Sequence, residues 1–435
     1  MKNKKEIIAG RGFYYMPSAY IAMKVTIEGV YDHEKMKEAV CALEEAHPII
    51  NHVVSKSGDK MYFEDVGKHV PIVYYNDDYI VKWEDVLLKL TTEPINLMEN
   101  PGVMIGVVER TDHFFILAIM HHMYGDGLSL KYLMDDLLYI YSVGHKLKER
   151  EAETALCEDD LPMNAKIPAD IREKYVSFAQ LCKDKKVEFS WEAYKQMIDT
   201  HNEKIGTGIT CRNISGTMFR NLKGKCKELS VTINSALTTA MTAALQNNKG
   251  VDAIISLDTR PIFNHENKKG LANYASCIQT NIDYDSSIGF WDNVAIIDKK
   301  IKEERFKTTK ILNTLYTFLL WGADIFGVGY YARYGMYRDM ETLMELRKTL
   351  GLTSDTDTFE ISNIGTVDFA ANCEDFVIRD CYFIPNPMPA CACTFGVTSL
   401  GNVLTASLVH KKSLVSTEQA KSFLHEVMSY LVRNI

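Results

Sequence analysis

The chain has 435 residues, a net charge of −8 and 46% hydrophobic residues. This length is enough for two hydrophobic cores and predicts two or three domains. The acidic balance and the lack of a long basic block argue against nucleic acid as a partner. The ten cysteines are scattered without a paired Cys-x-x-Cys spacing. That pattern argues against a metal site and indicates reduced, buried thiols in a cytoplasmic protein.

The first part of the chain alternates between strand-like and helix-like patterns. Period-2 alternation and turn residues predict strands, whereas apolar residues three and four positions apart predict helices. The predicted elements are a strand over 20–29, a helix over 34–46 capped by Asp32, a hairpin of 51–55 and 61–64, a helix over 81–90, and a strand pair of 102–109 and 113–120.

The second part follows the same alternation after a charged, loop-like segment over 144–180, which we interpret as an inter-lobe linker. The predicted elements are a short helix over 191–198, strands within 207–219, a helical segment over 223–247, a strand pair of 253–257 and 275–282, mainly helices over 290–350, strands over 358–361, 376–383, 394–399 and 403–409, and a closing helix over 417–432. This pattern predicts an α/β chain with two lobes, 1–180 and 181–435.

The longest apolar stretch covers residues 311–331. It contains Asp324 and several Gly and Thr residues, whereas a helix that spans a membrane needs about 20 predominantly apolar residues. We interpret the stretch as a buried helix or a wall of a substrate channel. A weak surface contact with a membrane is the alternative.

One turn stands out in the first part, at residues 119–127. An apolar run over 113–120 leads into it, and a helical pattern over 128–141 follows. Because successive strand side chains point to opposite faces, His121 and His122 should face different ways, which argues against both binding one metal ion. We expect one imidazole to face a cleft and the other to be packed.

Asp126 lies between two glycines in this turn. Gly125 and Gly127 permit backbone angles that a side chain would forbid, so the chain can reverse and place the carboxylate near a histidine. A carboxylate there can fix the tautomer of an imidazole or hold an arginine that supports the turn. A lone buried histidine is usually a packed core residue, but this combination favours a functional site.

The motif from His121 to Gly127 resembles the HHxxxDG signature of the chloramphenicol acetyltransferase-like superfamily. That superfamily includes nonribosomal peptide synthetase condensation domains, alcohol acetyltransferases, wax ester synthases and plant BAHD acyltransferases. The resemblance covers nearly the whole chain. Its other parts are the helix-to-strand junction at 43–50, the segment 93–107, the Asp-x-Arg-Pro sequence at 258–261, the segment 273–276, and Ser-Asn-x-Gly at 362–365.

The resemblance implies a V-shaped pair of lobes, a pseudo-dimer with a central channel. It implies that His122 is the base and that Asp126 acts mainly as a support paired with an arginine, for which Arg260 is the candidate. His121 is then a packed neighbour, and Gly127 keeps the backbone close to the substrate. The plant Asp-Phe-Gly-Trp-Gly motif is absent, and Asn234-Ser235 replaces the Asn-Asp pair of wax ester synthases, so both subfamilies are disfavoured.

The expected reaction is acyl transfer from a thioester to a hydroxyl or amine of a small-molecule acceptor. Neutral His122 would take the acceptor's proton. The amide of Gly127, or the region of Ser362 and Asn363, would stabilise the oxyanion. No Ser or Cys nucleophile is evident, so we expect direct transfer without an acyl-enzyme. The thioester is a co-substrate, and no tightly bound cofactor or metal is expected.

Two possible acyl donors remain open, and so does the alternative that the protein has no catalytic activity. A stand-alone, monomeric acyltransferase would use acyl-CoA. A condensation-type enzyme of natural-product biosynthesis would use a phosphopantetheine thioester on an acyl carrier protein supplied in trans. Lys268 and Lys269 could meet an acidic carrier or a CoA phosphate. The third alternative is a catalytically inactive binding or scaffold protein of the same fold.

Overall fold

The computed structural model describes residues 4–58, 60–76, 82–144, 147, 157–245, 250–263, 270–350, 357–370 and 376–435. The strands are β1 (Lys4–Ile7), β2 (Tyr20–Glu28), β3 (Val53–Ser57), β4 (Lys60–Glu64), β5 (Ile72–Tyr75), β6 (Val103–Glu109), β7 (His113–His121), β8 (Thr207–Ser215), β9 (Val251–Asp258), β10 (Ala275–Ile282), β11 (Asp357–Val367), β12 (Ile378–Ile384), β13 (Cys391–Leu400) and β14 (Val403–Lys411). The helices are α1 (His33–Ala46), α2 (Trp83–Thr92), α3 (Gly127–Val143), α4 (Ala169–Asp184), α5 (Trp191–Lys204), α6 (Gly216–Glu228), α7 (Ile233–Ala244), α8 (Phe290–Arg305), α9 (Thr308–Leu320), α10 (Ala323–Arg333), α11 (Met340–Leu350) and α12 (Thr417–Arg433).

Two large sheets organise these elements. The first has the strand order β12-β2-β7-β6-β5, and the second has the order β10-β9-β11-β13-β14-β8. This arrangement confirms the predicted α/β class with two sheet-and-helix units, whereas the V shape stays an expectation. Strand β12 comes late in the chain but pairs antiparallel with β2 of the first sheet. The predicted lobe boundary at residue 180 stays a prediction.

Each sheet buries one face against helices. In the first unit, α1 and α3 pack on the sheet through residues such as Met36, Leu43 and Leu137. Met36 and Leu43 lie two turns apart on one face of α1, and this helical spacing could be recognised in the sequence. Asp32 caps α1 by accepting a hydrogen bond from the Lys35 amide at 3.0 Å, as predicted. In the second unit, α7, α8 and α12 cover the sheet in the same way.

The predicted linker over 144–180 was partly wrong, because α4 begins within it. This helix buries Tyr175, Phe178 and Cys182, which lie three and four residues apart. Only these three residues form the buried face, and many of their neighbours are charged. The helical periodicity of apolar residues was therefore weak in the sequence. Most of the charged run from Lys146 to Glu153 lies outside the described residues.

Two predicted boundaries around α6 and α7 were also wrong. The strand predicted over 207–219 ends at Ser215, where Gly216 has a φ of 61° and begins α6. The single helix predicted over 223–247 is two helices. Ser230 has a φ of 56° in the break, and the Thr232 side chain caps α7. A residue with positive φ cannot continue a right-handed helix, so the break follows from local geometry.

The apolar stretch over 311–331 forms α9 and α10. Across the described segments, no single helix is long and apolar enough to cross a membrane; α9 and α10 pass that test only together, with a bend of 110° between them. Leu315 and Val328 are fully buried, and Asp324 forms an ion pair with Lys56 at 2.8 Å. The interpretation as buried helix is therefore confirmed, and the weak membrane contact stays an untested alternative.

Candidate active site

The two histidines lie where β7 leaves the first sheet. The His121 amide donates to the Gly102 carbonyl, and the His122 amide donates to the Ala19 carbonyl, both at 2.7 Å. These backbone bonds fix the end of β7 between the start of β6 and the segment before β2. The two side chains consequently point in different directions, as predicted for successive strand residues.

His121 is a packed residue. Its ring lies edge-on to Tyr20 with centroids 5.0 Å apart, and its Nδ1 accepts a hydrogen bond from the Met123 amide at 3.2 Å. Its Nε2 is buried and has no hydrogen-bond partner among the described residues. Burial, with a smaller effect of His122, lowers the pKa of His121 to about 3. The ring therefore stays neutral at physiological pH.

His122 is held on two sides by residues far away in the sequence. Phe13 stacks on its ring at a centroid distance of 4.1 Å and an interplanar angle of 7°. The Asn273 Nδ2 lies 3.0 Å from Nδ1 and donates to the His122 carbonyl at 3.1 Å. The Asn273 Oδ1 accepts from the Ala275 amide at 3.1 Å, which fixes the orientation of the side-chain amide.

The environment of His122 favours a neutral ring with a free lone pair. Burial lowers its pKa, although the nearby Asp126 charge and hydrogen bonds to the carbonyls of His122 itself and Gly125 oppose the shift. A base at Nε2 requires the tautomer in which Nδ1 carries the proton. Asn273 contacts the Nδ1 edge, so Nε2 lies on the opposite edge of the ring.

Asp126 is buried and fully hydrogen-bonded. Its Oδ1 accepts from the Ser129 amide at 2.8 Å, which caps α3, and from the Ser129 hydroxyl at 3.0 Å. Its Oδ2 accepts from the Tyr274 amide at 3.0 Å. Burial alone would raise the pKa of Asp126, but the Arg260 charge and these hydrogen bonds outweigh burial and hold the pKa below its usual 3.8. The carboxylate is therefore ionised.

Arg260 is the predicted partner of Asp126, and the structure brings the two together across 134 residues of sequence. Nη1 donates to Oδ2 at 2.7 Å and Nη2 donates to Oδ1 at 2.8 Å, a bidentate pair. Arg260 also lies over the Tyr274 ring at 4.4 Å and contacts Asp258 at 3.1 Å. The pair ties the turn after β7 to the end of β9 and the start of β10.

The two glycines of the motif have a different role from the one predicted. Neither Gly125 nor Gly127 is among the residues with positive φ, so special backbone angles do not explain them. A Cβ at Gly125 would lie 2.6 Å from the Ser129 Cβ, and one at Gly127 would lie 2.9 Å from Ile364 and 3.0 Å from Phe383. Both positions lack a side chain because the neighbouring elements pack directly against the backbone.

The predicted oxyanion contacts stay predictions. Ser362 and Asn363 lie on β11, and no hydrogen bond joins either to His122 in the described part of the chain. The Asn363 Oδ1 accepts from the Gly365 amide at 2.9 Å. Gly127 is the first residue of α3, and a helix N-terminus favours negative charge. That position supports the Gly127 amide over the other two candidates.

Three site residues were missed from the sequence. Ser129 had a local signal, because it follows Asp126 at the spacing of a helix cap. Phe13 and Asn273 had no local signal for contact with His122, since that contact depends on tertiary packing. The described residues contain no group of three or more His, Cys, Asp or Glu that could hold a metal ion. Lys268 and Lys269 lie outside the described residues.

Comparison with known proteins gives distant relatives and a shared fold. No family model matches the chain. The beauvericin nonribosomal cyclodepsipeptide synthetase of Gibberella fujikuroi is 25% identical over 304 residues, which are 65% of this chain but only 9% of the synthetase. The chain thus spans a small part of the curated relatives it matches.

Two solved structures align over 99% of the chain. The trichothecene 15-O-acetyltransferase of Fusarium sporotrichioides has a TM-score of 0.66 and 10% identity, with 95% of its own chain covered. The starter condensation domain of rhizomide synthetase, solved with C8-CoA and Leu-SNAC, has a TM-score of 0.64 and 10% identity, with 94% covered. These likenesses establish the fold.

Proposed function

We propose that this chain, which shares its fold with an acetyltransferase and a condensation domain, is an acyltransferase of the chloramphenicol acetyltransferase-like superfamily. It transfers an acyl group from a thioester to a hydroxyl or amine of a small molecule. The observation that carries the proposal is a buried imidazole whose neutral form is favoured, with Asn273 at its Nδ1 edge, beside an intact Asp126–Arg260 pair. An inactive scaffold would have no need to hold His122 in this way.

The proposed step requires only one titrating side chain. The acceptor's oxygen or nitrogen attacks the thioester carbonyl carbon while His122 Nε2 takes the proton from that atom. The tetrahedral oxyanion is stabilised by the Gly127 amide at the start of α3. The C–S bond then breaks, and the imidazolium returns its proton to the leaving thiolate. The products are an ester or amide and a free thiol.

Acyl-CoA is the donor that we propose first. The alternative donor is a thioester on a carrier protein, supported by sequence similarity to a nonribosomal synthetase. Both donors present the same thioester to His122, so the chemistry at the site is unchanged. Under the second alternative the chain acts as a condensation enzyme in natural-product biosynthesis and needs a partner protein.

The donor is tested by incubating the purified chain with a panel of acyl-CoA thioesters and mixed alcohols and amines. Products are read by mass spectrometry. The proposal predicts a new ester or amide together with free CoA. In a parallel arm, the same acyl groups are loaded on an acyl carrier protein. Turnover in that arm alone would support the condensation alternative, and turnover in neither arm would contradict both.

The pH dependence of kcat/KM should report the titration of His122. Because burial lowers the pKa of His122 from its usual 6.5, the catalytic neutral form persists at mildly acidic pH. We therefore expect the rate to be flat near neutrality and to fall on acidification with a midpoint below 6.5. A midpoint clearly above that value would contradict the assigned base.

Asn273→Asp provides a matched test of this assignment. The variant places a carboxylate where the Asn273 amide contacts Nδ1, and a neighbouring opposite charge raises the pKa of an imidazole. The acidic midpoint should move upward with it. An unchanged midpoint in a folded Asn273→Asp protein would show that another group controls the profile.

A further inference from the structure

Glu360 is a carboxyl group in the interior that the proposed mechanism does not use. It lies on β11, where it pairs with Thr394 of β13 and Ile254 of β9. Its sequence neighbours Phe359 and Ile361 point into the core of the second unit. Because strand side chains alternate, Glu360 points to the other face of the sheet, away from that core.

Two hydroxyl groups are the hydrogen-bond partners of Glu360. The Ser256 hydroxyl donates to Oε1 at 2.6 Å, and the Thr394 hydroxyl donates to Oε2 at 3.4 Å. Within the described ranges, no Lys, Arg or His forms an ion pair with it. The residue is 7% exposed, and burial raises the pKa of Glu360 to about 7, although both hydroxyls oppose the shift. A buried carboxylate without a cation is energetically costly.

A second polar side chain nearby has only weak partners. Asn386 is 5% exposed, and its Nδ2 contacts the sulfur atoms of Met16 at 3.8 Å and Met388 at 4.0 Å. Thioether sulfur is a weak acceptor. The Met388 amide donates to the same Thr394 hydroxyl that contacts Glu360, at 3.3 Å. Met388 therefore contacts Asn386 through its sulfur and contacts Thr394, a partner of Glu360, through its amide.

This polar pair is connected to the catalytic histidine by an apolar cluster. Phe13, which stacks on His122, forms a small buried cluster with Met16, and Met388 packs against that cluster. A series of contacts thus runs from His122 through Phe13 and the two methionines to Asn386 and to Thr394, a partner of Glu360. A molecule that placed its reacting atom at Nε2 could rest on these apolar side chains and extend its far end toward Glu360.

We propose that Glu360 binds a basic nitrogen of the acyl acceptor, on a part of the molecule remote from the atom that is acylated. The acceptor class is then amino alcohols and diamines. This inference rests on the proposed acyltransferase function. A cationic nitrogen supplies the charge partner that Glu360 lacks, while Ser256 and Thr394 keep their hydrogen bonds to the carboxylate. The Asn386 amide contributes polar contacts at the same end.

The test compares matched acceptors. A series of α,ω-amino alcohols is paired with n-alkanols of the same chain length, and KM and kcat are measured with one acyl donor. The wild-type chain should prefer the amino alcohol at one chain length. Glu360→Gln keeps the shape of the side chain and removes its charge. It should raise KM for that amino alcohol about 10- to 100-fold and leave KM for the alkanol unchanged.

Glu203→Gln is the control, because Glu203 is exposed on α5 and the substitution makes the same change in charge. It should leave both KM values unchanged. Equal KM values of the wild-type chain for both acceptor types would overturn the proposal without any variant. A parallel rise in both KM values for Glu360→Gln would also overturn it, because that result indicates a structural role only.

A binding arm separates this inference from the proposed function. Calorimetry with the amino alcohol and the alkanol, without any acyl donor, requires no turnover. Binding of the amino alcohol that weakens in Glu360→Gln supports the site even when no donor is consumed. No preference for the amino alcohol in this assay overturns the site, whereas transfer to neutral alcohols would still support the acyltransferase.

Discussion

His122→Ala should lower kcat/KM about 10²–10⁴-fold, the usual contribution of a positioned general base. The loss follows from the geometry, because His122 lies at the end of β7 with Asn273 at its Nδ1 edge, and Nε2 on the opposite edge is the nitrogen that we propose as the base. The fold should survive, since the ring is one side of a stack with Phe13 and not part of the larger cores. Steady-state kinetics with the best donor and acceptor measures the effect.

His121→Ala is the matched control for this result. His121 is packed against Tyr20 and has a pKa of about 3, so it stays neutral and points away from His122. Its removal should lower the melting temperature, while the folded fraction keeps kcat/KM within about tenfold. If His122→Ala keeps near wild-type transfer, or if His121→Ala causes the larger kinetic loss, the assignment of the base is wrong.

Asp126→Ala should destabilise the protein by about 3–5 kcal/mol, the usual loss when one partner of a buried ion pair is removed. Asp126 and Arg260 have side chains that are 5% and 3% exposed, so the guanidinium would remain buried, with the partly exposed Asp258 as its remaining carboxylate partner in the described part of the chain. The α3 cap on Ser129 would be lost as well. Urea denaturation followed by tryptophan fluorescence measures the change in the free energy of unfolding.

Asp126→Ala and Arg260→Ala should not be additive. The double mutant removes both charges, so it should lose much less than the sum of the single losses, with a coupling energy on the order of 0.5–3 kcal/mol. Asp258→Ala is the control, because its side chain is 34% exposed and its loss should be about 0–1 kcal/mol. Fully additive losses would show that the pair does not couple the two sheets.

Acidification should remove the stabilisation that the ionised Asp126 carboxylate gives to the folded protein. The folded-state pKa of Asp126 lies below its usual 3.8, so the stabilisation is fully present above that value. It is lost as the pH falls through the lower folded-state pKa.

The parts of the site that lie close together in sequence could be predicted from it. The apolar run of β7, the turn and the spacing of α3 form one continuous segment, and each pattern is local. Arg260 was identified by resemblance at a distance of 134 residues, and its bidentate contact with Asp126 confirms the pairing. The Asp32 cap and the closing helix were likewise readable because capping residues act within one turn.

The other parts depend on packing between distant segments. Phe13 and Asn273 meet at His122 from 109 and 151 residues away along the sequence. Glu360 gave no signal either, because a glutamate in a strand is usually on the solvent side. The place of Gly127 in the site stays a prediction, and the close approach of Ile364 and Phe383 to it is revealed only by the tertiary structure.

The most direct test of the central claim is a quenched single-turnover experiment on the wild-type chain, read by intact-protein mass spectrometry. The chain is mixed with a donor thioester and its acceptor, and both protein and small molecules are weighed at early times. Direct transfer assisted by His122 predicts that ester or amide appears with free thiol while the protein mass never changes. A transient gain equal to the acyl group on the protein, which is consumed as product forms, would contradict the account.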